Sequence, residues 1–138
     1  MKFIITTIIS TLLATSLFAG NTTQQLKLAS DMRTMLSAVA DIQRAGFYYN
    51  KEGVKDAATR LISNLDSLIT TDATLYLPND QANAGKFAKK REKMIKMYAQ
   101  DLIESVENND FEEAMDDYSQ ILRQCTSCHS RIRHKVWK

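Results

Sequence analysis

The chain is poor in the residues that punctuate and staple a fold. Its 138 residues include one proline, four glycines and two cysteines. So little turn-forming material argues against an all-β sandwich or barrel, and no stretch alternates β-branched with polar residues. The two cysteines lie in one pentapeptide, Cys125 to His129, where a bond across a two-residue gap would staple nothing distant. A disulfide framework is thereby excluded. Net charge is small as well, with 18 basic residues against 16 acidic, or +2. That balance gives no reason to expect a nucleic-acid partner.

Charge is also missing near the N-terminus. After the basic start Met1-Lys2, residues Phe3 to Leu17 are apolar or hydroxylic, and Ala19-Gly20-Asn21 then offers small residues to a signal peptidase. This layout predicts a secretory signal peptide over residues 1–19, cut after Ala19, with Gly20 to Lys138 as one domain. The apolar run falls short of the roughly 20 residues of a membrane span, so no stable span is expected after cleavage; an uncleaved anchor is the alternative. No cysteine adjoins the cut, which excludes a lipid anchor through a thioether. Removing Lys2 from the 18 bases leaves 17 against 16 acids, a net of +1.

What the chain does have is helical spacing. Leu28, Met32, Met35 or Leu36, Val39, Ile42 and Gly46 recur at steps of three and four, the stripe of a packed helix. Thr22 and Gln25 can cap its start, and Gly46, Asn50 and Gly53 mark its end. A second stripe runs through Val54, Ala57 or Ala58, Leu61, Leu65, Leu68 and Ile69, stopping at Thr70-Thr71-Asp72. Residues 72–83 carry Pro78 and read as a long connection. A third stripe holds Phe87, Met94, Ile95, Tyr98, Leu102, Ile103 and Val106, ending at Asn108-Asn109. A fourth opens on Asp110 and Glu113 as a capping box and runs through Phe111, Met115, Tyr118, Ile121, Leu122, Cys125, Cys128 and Ile132. Glu112, Glu113, Asp116 and Asp117 fill its first turns, and Arg131, Arg133 and Lys135 its end, as the helix dipole favours. Four amphipathic helices with a long middle connection predict an all-α, antiparallel four-helix bundle.

Cys125, Cys128 and His129 stand at i, i+3 and i+4, on one face of the fourth helix. Two thiols and an imidazole so placed can meet two haem vinyl groups and the haem iron, and C-x-x-C-H is the signature of c-type haem attachment. Such attachment takes place outside the bacterial cytoplasmic membrane, so motif and signal peptide imply one compartment, the periplasm. Two other uses of C-x-x-C fit less well. A thioredoxin-like pair sits at a helix start after a strand. A structural zinc site wants four ligands; only His129 and His134 remain to join the sulfurs, and His134, five positions beyond His129, points to a different helix face.

A signal peptide, four helices and C-x-x-C-H near the end of the last helix resemble the class II c-type cytochromes, the cytochrome c′ and cytochrome c-556 group. The resemblance covers the mature chain in architecture and rests specifically on Cys125 to His129. It implies one covalent haem c in the bundle core, bound through Cys125 and Cys128, with His129 as axial iron ligand and the other haem face toward the first helix. A methionine there gives the six-coordinate iron of an electron carrier, whereas an apolar residue gives five-coordinate iron that binds nitric oxide or carbon monoxide. Met35 is the candidate distal ligand and Met32 the alternative; either could equally be plain core packing. Where the family typically sets its distal residue, four positions after an arginine, this chain has Ser37 after Arg33. Arg33 is a candidate propionate partner or a solvated residue.

The resulting expectation is a periplasmic electron carrier, with redox partner proteins and no enzymatic activity of its own. A gas-binding protein and a haem subunit of a larger oxidoreductase are the alternatives, and a homodimer is possible within the family. Tyr48, Tyr49, Tyr98 and Tyr118 read as core or rim packing, and Trp137 as a cap on the crevice or a terminal anchor. Lys86, Lys89, Lys90, Arg91, Lys93 and Lys96 form one basic group, and Arg131, Arg133, His134, Lys135 and Lys138 a second. Either steers an acidic partner or solubilises the surface.

Overall fold

The structure is a computed structural model; it describes residues 16–77 and 82–132, with side chains from residue 23 onward. It comprises α1 (Ser16–Phe47), α2 (Lys51–Ser63), a one-turn α3 (Ser67–Thr70), a 3-10 turn (Ala73–Leu75), α4 (Ala84–Glu107) and α5 (Phe111–Ile132). The four long helices pack together, and there is no strand among the described residues. The segment 1–15, Pro78 to Gln81 and the tail from Arg133, with His134, Lys135, Trp137 and Lys138, lie outside the described residues. No described helix is long and apolar enough to cross a membrane.

Residue pairs across the interfaces fix the directions. Arg60 of α2 donates to Asp41 of α1 at 2.8 Å, while Gly53 approaches Ala45, so α1 and α2 run antiparallel. Arg91–Gln124 and Ser105–Asp117 set α4 and α5 antiparallel in the same way. Lys55 to Glu107, at 2.9 Å, ties the start of α2 to the end of α4. The main core threads all four helices through Leu28, Met35, Val39, Ile42, Val54, Leu61, Ile95, Leu102, Val106 and Ile121. Burial of such side chains, each worth about 1.5–3 kcal/mol, drives the helices together.

Several expected boundaries move. Thr22 lies inside α1, which continues N-terminally to Ser16, because no proline or helix-breaking run interrupts it. α1 does end between Gly46 and Asn50, at Phe47, but no glycine makes the turn. The turn is made by Tyr49 at φ 52°, and Asn50 instead caps α2, its side chain accepting from the Gly53 amide at 3.1 Å. The second stripe is not one helix but breaks at residues 64–66. There the Asn64 side-chain amide donates to the Arg60 carbonyl at 2.8 Å and competes with the helical ladder. The capping role of Asp110 is as expected, its carboxylate accepting from the Glu113 amide at 3.1 Å. Within the long connection, the 3-10 turn is capped by Asp72, and Leu77 is buried against Ala73, Ala84 and Ala88.

Candidate functional site

The last turns of α5 carry Cys125, Cys128 and His129, and α1 carries Met32 and Met35. All five line one cavity of about 180 Å³, joined by Leu36, Val39, Leu61, Leu68, Arg91, Ile95, Leu122 and Thr126. This site exists because α1 and α5 have no extensive contact with each other. α1 packs on α2, and α5 on α4, leaving a groove between the outer two helices. Leu36, 70% exposed, and Leu122 stand in that groove with their apolar surface uncovered.

Met35 is 6% exposed and belongs to the core, whereas Met32 is half-buried at its edge. Cys128 is buried and Cys125 partly so, and both are free thiols. Burial pushes the Cys125 thiol up to about 11 and Cys128 upward too, the latter opposed by the nearby Arg91 and Arg131. His129 is exposed at the same cavity.

Arg33, a candidate propionate partner or a solvated residue, is exposed and does not line this cavity; Ser37, also exposed, stays outside it. The cation that does line it is Arg91 of α4. Its Nη1 donates to Gln124 Oε1 at 2.6 Å, while its Nε is buried with no hydrogen-bond partner among the described residues. A buried guanidinium donor without an acceptor is costly unless something else satisfies it. The signal for Arg91 was present in the sequence. It stands four residues from both Phe87 and Ile95, a charge set on an apolar stripe.

Tyr76 was also missed. Its hydroxyl donates to the Leu68 carbonyl at 2.5 Å, and burial, with a smaller contribution from Cys128, pushes it up to about 12. Among the tyrosines singled out earlier, Tyr118 is buried and Tyr98 partly so. Tyr48 and Tyr49 are exposed, Tyr49 meeting Phe111 edge-on at 5.1 Å. A second cavity, of about 340 Å³, lies at the opposite end of the groove among Ile42, Phe47, Val54, Phe111, Met115 and Tyr118. It holds neither cysteine nor histidine.

The donor set around Cys128 fits a haem. Two free thiols and one imidazole sit on one helix face, an apolar wall lies opposite, and the buried Arg91 Nε has no acceptor among the described residues. Among the described residues no three Cys, His, Asp or Glu side chains gather as a metal site. A porphyrin supplies its own four nitrogens, so it needs only one or two axial ligands from the chain. The cavity is smaller than the ~300–1,000 Å³ of ordinary ligand pockets. The rest of a macrocycle would therefore lie in the open groove, against Leu36 and Leu122. Comparison with protein-family models, with curated proteins and with solved structures finds no match to this chain.

Proposed function

We propose that the chain is an exported, periplasmic c-type cytochrome that carries electrons, with one haem attached through Cys125 and Cys128. The observation that carries this reading is the single cavity in which the C-x-x-C-H face of α5 meets Met32 and Met35 of α1. When bound, haem supplies a one-electron ferrous/ferric couple. Cys125 and Cys128 would hold it covalently, and the His129 imidazole, on the same helix face, would bind its iron. Met35, rigidly packed in the core, offers a thioether from the opposite wall; Met32 is the looser alternative. Thioether ligation raises the potential and favours electron transfer over gas binding. Arg91, its guanidinium held by Gln124, would be the cation available to a haem carboxylate.

The test is expression with a cytochrome c maturation system, followed by mass spectrometry and optical and EPR spectroscopy of the ferric protein. Covalent haem and low-spin iron with a sulfur-to-iron charge-transfer band are expected. A chain recovered without covalent haem overturns the proposal. High-spin iron that takes up carbon monoxide on reduction instead favours the gas-binding alternative.

A further inference from the structure

The modest net charge of this chain conceals a sharp separation along α4 and α5. From Lys86 to Lys96, α4 carries Lys86, Lys89, Lys90, Arg91, Lys93 and Lys96 against a single acid, Glu92. Residues 97–122 then contain eight acids and no base, and Arg123 and Arg131 follow on the last turns of α5. Because α4 and α5 run antiparallel, the two basic halves lie side by side, as do the two acidic halves. Phe87 marks the basic junction, with the Arg91 guanidinium 5.0 Å and the Arg131 guanidinium 4.0 Å from its ring centre.

Helix stability does not account for this pattern. On α5, acids at the start and bases at the end suit the macrodipole. On α4 the order is reversed, with Lys86 in the first turn and Glu104 and Glu107 in the last. Each such charge costs about 0.3–1 kcal/mol in the absence of other partners. Nor does ion pairing account for it. Lys86, Lys89, Lys90, Lys93 and Lys96 are exposed and make no ion pair among the described residues. Like charges set beside like charges repel, so the arrangement is unfavourable for the isolated chain.

We infer that the α4–α5 basic face is the docking surface for a compact acidic patch on a protein that exchanges electrons with this one. The redox half of this inference rests on the proposed function. Arg91, on the inward side of the same turns of α4, lines the site, so the exposed lysines stand on the outer side of the helix that walls it. From Lys86 to Lys96 the basic face spans about 15 Å along the helix axis, and it is bounded by the acidic half beginning at Asp101. A duplex or a lipid surface extending past that boundary would meet repulsion, whereas a small acidic patch would not. A membrane-binding helix also sets apolar side chains beside its bases. Here the exposed large apolar residues, Met97 and Leu122, stand only at the edges of the basic segments, 42% and 37% exposed, and none stands among the lysines.

The test compares two neutralised variants of equal net charge. Lys86→Gln/Lys89→Gln/Lys93→Gln removes three charges from the face, and Arg44→Gln/Lys51→Gln/Lys55→Gln removes three from the far end. Binding of a hexaglutamate peptide, followed by NMR shifts, needs no haem. It should fall about tenfold in the first variant and in added salt, and little in the second. In the haem-loaded protein, oxidation by the trianion ferricyanide should slow about tenfold at low salt in the first variant only. Oxidation by the cation tris(phenanthroline)cobalt(III) should not slow. Equal effects of the two variants, or no peptide binding, overturn the inference. So does tighter binding to phosphatidylglycerol vesicles or to a 20-base-pair duplex than to the peptide. If the chain binds the peptide through this face but acquires no covalent haem when expressed with a maturation system, the redox function is overturned while the docking surface stands.

Discussion

Met35 and His129 line the same cavity from two helices that have no extensive contact with each other. In sequence they are 94 positions apart. Antiparallel packing brings the start of the apolar stripe on α1 opposite the end of α5, and the missing interface between these helices leaves room at that point. Met35 is thus anchored in the core while its neighbourhood stays open toward the imidazole.

Replacing Met35 separates ligation from packing. Met35→Leu is nearly volume-conserving and should cost less than about 1.5 kcal/mol, whereas Met35→Ala should cost about 2–5 kcal/mol. In the haem-loaded protein both should abolish the sulfur-to-iron charge-transfer band, and Met32→Leu should leave it in place. Urea unfolding gives the first comparison and the ferric optical spectrum the second.

Arg91 brings a fixed positive charge to the cavity wall. Arg91→Leu should lower the reduction potential of the loaded protein, because a nearby cation favours the less positive, ferrous state. The same change leaves the buried Gln124 Oε1 without its donor, at about 1–3 kcal/mol in stability. Arg91→Lys should retain most of the potential while losing the planar pairing. Spectroelectrochemical titration of the three proteins checks this.

Asp117 makes stability depend on pH. Burial pushes its carboxyl above the usual range; the Ser105 hydroxyl, 3.2 Å away, opposes this, while Asp101, Glu113 and Asp116 reinforce it. A raised native pKa means that the folded state binds the proton more tightly than the unfolded one. This contribution to stability is full below the unfolded value, and it is lost as pH rises through the native one. Asp117→Asn should therefore raise Tm at pH 7, with the gain shrinking toward pH 4. Thermal melts of both proteins across that range measure the difference.

Gly53 allows α1 and α2 to approach. A Cβ there would lie 2.7 Å from Asn50 Nδ2 and 3.0 Å from the Ala45 Cβ. Gly53→Ala should displace the Asn50 cap and strain the helix contact, outweighing the gain in helix propensity. The expected net loss is about 1–2 kcal/mol, read from the urea midpoint. Gly46→Ala meets nothing within 4 Å and should stabilise α1 by up to about 1 kcal/mol.

The sequence by itself determined the helices, their buried stripes and the common face of Cys125, Cys128 and His129. Periodicity and the i, i+3, i+4 rule are local, and 3.6 residues per turn enforces them wherever a helix forms. Boundaries were less legible, because Asn64 and Tyr49 act through side-chain competition and a left-handed turn that no periodicity reports. Only the tertiary structure decided which cation belongs to the cavity, choosing Arg91 over Arg33. Only it aligned the two basic segments of α4 and α5 on one face. Both outcomes depend on which helices touch and in which direction they run. That is set by the burial of side chains far apart in the chain, and no local pattern encodes it.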